Sequence, residues 1–257
     1  MHKHCTQPTT RTAHSLTTTL LQGLRAFTKE HTLLLWGPDK LYAAAYDEDK
    51  TLPPFRLHHR DGHKSPHTNP TYLPDDYLLA LRPVFQIRHP ALMFPSMLRT
   101  REKAGLPTHP ASKMSKAMMT LQPTRELYEW YLHHEDALSP KVIDADDIMN
   151  DRSVVRQLCL ETGLDPDAVI YEWGTHEPQD PLKKVFLATL GASKGILPGL
   201  DSKCLDLEKE RMKWVADWGE EYARELEVVI DESMRDYEVC YSGHRFQPFS
   251  PLHDPSY

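Results

Sequence analysis

The sequence predicts an α/β fold, a mostly parallel sheet flanked by helices, arranged as a single domain over residues 1–257. Three observations predict it. Two short apolar runs, Pro-Val-Phe-Gln-Ile at 83–87 and Lys-Val-Ile-Asp at 141–144, read as buried strands. Each gives way at once to a helical pattern, the alternation that builds parallel layers. The 257 residues, 40% of them hydrophobic, suffice for one substantial core, and no shift in composition demands a second.

The elements follow in order. Residues 15–27 can begin as a helix and lead into a short apolar strand near 24–28. Residues 47–76 are polar, with His58, His59, His63 and His67 set among prolines and glycines, and read as a loop excursion. Arg88-His89-Pro90 ends the strand at 83–87, and Pro90 suits the opening of a helix over 91–104. Pro95 must kink that helix or lie in its first turn. Residues 114–137 carry apolar side chains at the spacing of one or two amphipathic helices, and 180–192 makes another. Asp146 and Asp147 give an entry to a helix that ends at Gly163. Residues 203–235 form a charged helical C-terminal segment with Leu205, Met212, Trp214, Val215, Trp218, Tyr222, Leu226 and Val229 facing inward. Met93, Met97, Met114, Met118 and Met119 read as core filling.

Composition excludes some functions. A formal charge of −7 offers no concentrated basic surface, so no nucleic-acid partner is expected. The four cysteines, Cys5, Cys159, Cys204 and Cys240, are widely spaced and contain no Cys-x-x-Cys pair, which predicts free thiols in a reducing compartment. The histidines at 58–67 lie in proline-rich sequence without helical support, so no metal is expected there. No stretch reads as a signal peptide or a membrane span, and the expectation is a soluble cytoplasmic protein with no membrane partner.

Four constellations can carry chemistry. Lys29 and His31 are two residues apart, and on an extended chain they point the same way, offering a cation beside a proton acceptor. The bland alternative is a salt-bridged lysine and a histidine bonded to backbone. Arg88 sits where a strand ends, and Ser96 and Arg99 share a face of the next helix. Together with free amides at the helix start they would make an anion clamp; they could equally hold helix to sheet. Asp144, Asp146 and Asp147 are candidates for acid–base or metal work, with helix capping favoured. Trp173 and His176 line a pocket in one reading and a plain loop in the other.

The spacing of Lys29-x-His31, and of Arg88 with Ser96 eight residues later, resembles the sulfotransferases that use 3'-phosphoadenosine-5'-phosphosulfate (PAPS). The fragments FTKEH, FQIRHPALMFPSMLR, VIDADDIMND, VRQLCLETGLD and FLATLGASKGI look like a fungal branch of that sulfotransferase-like P-loop class, over about residues 24–237. The resemblance implies His31 as general base beside Lys29, with Arg88 and Ser96 on the 3'-phosphate of the nucleotide. The departure is a missing phosphate loop. The 28 residues before Lys29 contain no glycine-rich turn suited to cradling phosphate, so the fold is expected to be N-terminally shortened.

Surviving basic groups without a phosphate cradle favour a repurposed pocket. The expected function is a cofactor-independent cyclase, isomerase or dehydratase acting on a small metabolite of fungal secondary metabolism. His31, Lys29 and Arg88 would do the chemistry, while Ser96, Arg99, His176 and Trp173 would hold the substrate. A PAPS-dependent sulfotransferase acting on a small alcohol or phenol is the alternative, and a non-catalytic binding protein is a third. The charged face of 203–235 could equally form a homodimer interface.

Overall fold

In a computed structural model, residues 27–46, 52–59, 62 and 64–243 are described. The chain order is α1 (Thr32–Leu35), α2 (Pro38–Tyr46), α3 (Asp75–Leu79), β1 (Val84–Ile87), α4 (Pro90–Lys103), α5 (Lys113–Met118), α6 (Gln122–His133), β2 (Lys141–Asp144), α7 (Ala145–Asn150), α8 (Arg152–Thr162), α9 (Pro181–Phe186), α10 (Ala188–Ala192), α11 (Leu207–Trp218) and α12 (Glu220–Gly243), with a 3-10 turn at Pro166–Ala168.

The expected sheet-dominated α/β fold is overturned. The two expected strands form and pair in parallel, Val84 opposite Lys141 and Ile87 opposite Asp144. Among the described residues they are the whole sheet, and helices dominate. The reason lies in periodicity. In α4, α6 and α12 the buried residues recur every three or four positions, and such segments bury a stripe as helices. Trp36–Thr71 and Glu172–Gly195 are isolated antiparallel bridges. All but the last residue of the helix expected over 15–27, and most of the strand near 24–28, lie outside the described residues; Phe27 and Thr28 are exposed, irregular chain.

Local chemistry explains most boundaries. His89 caps α4, its Nδ1 accepting the Ala91 amide at 3.2 Å, and Pro90 takes the first helical position. Pro95 sits inside α4 rather than at its start, and the helix continues through it to Lys103. Asp144, not Asp146 or Asp147, caps α7 in a capping box. Asp151 then restarts the chain as α8, so the single expected helix is two. Gly163 ends α8 at φ 74°, a left-handed conformation that glycine adopts without strain.

The core has two parts. Around the strands, Leu78, Phe85, Ile87, Leu127, Tyr128, Tyr131, Val142 and Tyr237 pack together. Beyond them Phe94, Leu98, Met119, Trp214, Leu226 and Ile230 join α4, α11 and α12. Met93 and Met234 touch both groups, and α12 contacts both strands, α4, α6 and α11. Met114 and Met212 are exposed, so neither fills the core as expected. In the 47–76 excursion the described residues are held by buried Asp75, whose carboxylate accepts from the Thr68 and Asn69 amides and side chains. No described helix is long and apolar enough to cross a membrane. Cys159, Cys204 and Cys240 are free, and no metal-binding cluster occurs among the described residues.

Candidate functional site

Ligands of parallel strands gather where the carboxyl ends open, and here that edge is small. The register places Ile87 opposite Asp144, so Arg88 and the acidic start of α7 emerge side by side. The Arg88 guanidinium is half-buried. Its Nη2 donates to the Leu200 carbonyl at 3.0 Å, while its Nε is buried without an acceptor. Burial pulls the guanidinium down from its ordinary basicity, and the Asp146 and Asp144 carboxylates oppose that pull.

The surrounding groups are tightly engaged. Asp144 is 3% exposed; its Oδ2 accepts from the Tyr237 hydroxyl at 2.8 Å and its Oδ1 from the Asp146 amide at 2.7 Å. Burial holds its carboxyl above the usual range, and the neighbouring Asp146 and Asp147 charges push the same way. The His89 ring packs 5.5 Å from that of Tyr237, and burial lowers its basicity, which favours neutral imidazole. Asp146 reaches across to Ser202, accepting from the amide at 3.0 and 2.9 Å and also from the hydroxyl.

The expected free amides at the start of α4 are absent. Pro90 has no N–H, Ala91 donates to the His89 ring, and Leu92 and Met93 donate to the His89 carbonyl. The start of α4 therefore offers an anion no free amide.

The remaining predicted site residues scatter. Lys29 and His31 are exposed on irregular chain rather than after a strand, and His31 precedes α1 without a side-chain cap bond. α1 rests on α6, where the Thr32 and Thr124 hydroxyls meet at 2.6 Å. Ser96 is exposed on α4. Arg99 pairs with Asp217 at 2.7 Å and lies over the Trp218 ring at 5.2 Å, which ties α4 to α11. Trp173 and His176 line one loop against α10, the Trp173 amide bonding to the Lys194 carbonyl and the His176 amide to that of Gly191. No hydrogen bond or ion pair among the described residues joins Lys29 or His31 to Arg88. Two surface clefts, one of about 600 Å³ lined by Lys40, Arg56, His67, Glu126 and Trp130 and one of about 310 Å³ beside His133 and His134, include none of the predicted residues.

Sequence reasoning overlooked Asp146 with Ser202 and the Asp144–Tyr237 pair. The signal for the first was Asp-Ala-Asp-Asp at a strand end; nothing local marks Ser202 or Tyr237 as its partners.

Comparison with known proteins bears on the expected activities. The chain is 29% identical over 233 residues to the sulfotransferase ppzF of Metarhizium majus and 28% identical over 233 residues to that of Metarhizium rileyi. It is similar to fungal sulfotransferases. Each match covers 84% of this chain and 68% of the relative. No family profile and no solved structure matches the chain. The similarity overturns the cofactor-independent cyclase, isomerase or dehydratase, since both relatives are named for sulfuryl transfer.

Proposed function

We propose that this chain carries a PAPS-dependent sulfotransferase activity on a hydroxyl of a small molecule. The observation that carries the reading is the similarity to the two Metarhizium sulfotransferases, which covers 84% of this chain. Arg88 supports it physically. It is a half-buried cation at the carboxyl edge of parallel strands with an unsatisfied buried N–H, a group that gains by meeting a phosphate oxygen. The fit is to one phosphate of the nucleotide. Among the described residues no glycine-rich loop cradles a second.

PAPS, when bound, supplies the sulfuryl group and leaves as adenosine 3',5'-bisphosphate. In this reading Arg88, with the Ser96 hydroxyl, grips the 3'-phosphate. His31 accepts the proton of the attacking hydroxyl, and its exposed, uncapped ring leaves it open to that hydroxyl. Lys29 offers positive charge to the developing anion. Arg99, engaged by Asp217 and Trp218, serves the fold.

Titration calorimetry with adenosine 3',5'-bisphosphate tests the proposal. Micromolar binding that weakens at least about tenfold in Arg88→Met is expected, the loss of one charge-assisted contact. No heat at millimolar nucleotide, or unchanged affinity in the variant, refutes it. Transfer of label from PAPS to a panel of small phenols and alcohols, abolished in His31→Ala, tests the chemical step.

A further inference from the structure

Resting on the sulfotransferase reading, we propose that residues 199–202 form a strap that closes the Arg88 anion site in the free protein, with Asp146 as the positioning residue that latches it. A guanidinium grips a phosphate best along one edge, through two parallel N–H bonds. The Nε–Nη2 edge of Arg88 is not open to such a grip. Nη2 is taken by the Leu200 carbonyl, and Nε is covered and left without an acceptor. An anion reaches this edge only when the segment carrying Leu200 moves.

The attachments of that segment are few. Upstream, Gly195 forms a single bridge with Glu172. Ile196, Leu197 and Leu200 are all exposed, so little packing holds the chain between. Gly199 stands at φ 74° with open space around its Cα, a backbone state that suits a hinge. Downstream, the Asp146 carboxylate takes both the amide and the hydroxyl of Ser202. Release of this one latch frees the Leu200 carbonyl to leave Arg88. The two states differ in their interaction with the ligand: closed, Arg88 carries an unsatisfied buried N–H; open, a phosphate satisfies the whole edge.

Hydrogen exchange on the full chain, with adenosine 3',5'-bisphosphate as probe, reads the strap directly. Saturating nucleotide should raise exchange of peptides covering 199–203, the reverse of the protection that a static site would show. Ser202→Ala removes part of the latch without changing charge. It should raise exchange there in the free protein and tighten binding by about 3- to 10-fold, because more molecules are already open. Ser202→Thr, which keeps the hydroxyl, should behave as wild type. Asp146→Asn should also tighten binding, but removal of its charge helps any anion, so only the part that persists at high salt counts for the strap. Nucleotide that binds through Arg88 while 199–203 stays unchanged or becomes protected, with Ser202→Ala at wild-type affinity, sinks the strap and leaves the sulfotransferase reading standing. Absence of binding in wild type and in Ser202→Ala overturns both.

Discussion

Replacement of Tyr237 by Phe removes one hydroxyl from the buried edge where β2 ends. That hydroxyl donates to the Asp144 carboxylate at 2.8 Å, and Asp144 is 3% exposed, so solvent cannot replace the bond. A hydrogen bond to a charged acceptor contributes about 1.5–3 kcal/mol, a neutral pair about 0.5–1.5 kcal/mol. The cost of Tyr237→Phe thus depends on whether Asp144 is ionised. Burial holds its folded-state carboxyl above the ordinary aspartate range. Between the unfolded and folded values the native state binds the extra proton, and stability falls as pH rises through that window. Loss of the Tyr237 donor raises the folded value further, so the variant suffers most above the window and least below it. Urea unfolding followed by circular dichroism should show a loss of about 1.5–3 kcal/mol at pH 7, shrinking toward 0.5–1.5 kcal/mol near pH 4. In an Asp144→Asn background, where no charge remains, the substitution should cost only the smaller amount at either pH. Equal losses at both pH values, together with additivity of the two substitutions, would refute the reasoning.

Other perturbations separate fold from site. Leu98→Ala, at a side chain with no exposure between α4 and α12, should cost about 2–5 kcal/mol in the same urea assay. Arg99→Ala breaks a half-exposed pair with Asp217 and a contact with Trp218; a loss of about 1 kcal/mol or less is expected, with nucleotide affinity unchanged by calorimetry. Exposed Cys204 should be alkylated well before buried Cys159 and Cys240 when labelled peptides are followed by mass spectrometry, since burial pushes the Cys240 thiol up to about 12.

What the sequence disclosed about the fold was its local grammar. The runs at 83–87 and 141–144 are short, apolar and bounded by residues that stop a strand, so their position was legible and their parallel pairing followed from the helices between them. The size of the sheet was not. Alternation of two strands with helices was extended into a full layer, yet the apolar run at 33–36 enters α1 instead of a strand, and the three-to-four spacing of α4, α6 and α12 demanded helices. Pro95 lies beyond the first turn of the helix it was expected to kink or to open: there it deletes one amide bond, but the helix runs on, with Phe94, Pro95 and Leu98 all buried. At the candidate site, the place of Arg88 just past a strand end was legible. The Leu200 carbonyl that Arg88 bonds lies 112 residues on, and the Ser202 that Asp146 holds lies 56 residues on; no periodicity reports contacts of that range.

If an anion binds at Arg88 as proposed, the arrangement there also says where its affinity must come from. The first amides of α4 are consumed by His89 or missing at Pro90, so the helix start lends an anion no free donor. The Asp144 and Asp146 carboxylates, two residues apart, offset part of the positive field of the guanidinium. A ligand therefore gains little from long-range attraction at this edge and must gain from local hydrogen bonds, above all from the unsatisfied Nε. Such a site discriminates by geometry more than by charge. An oxyanion that presents two oxygens to one guanidinium edge repays the loss of the Leu200 carbonyl, whereas a monovalent halide, with a single point of contact, does not.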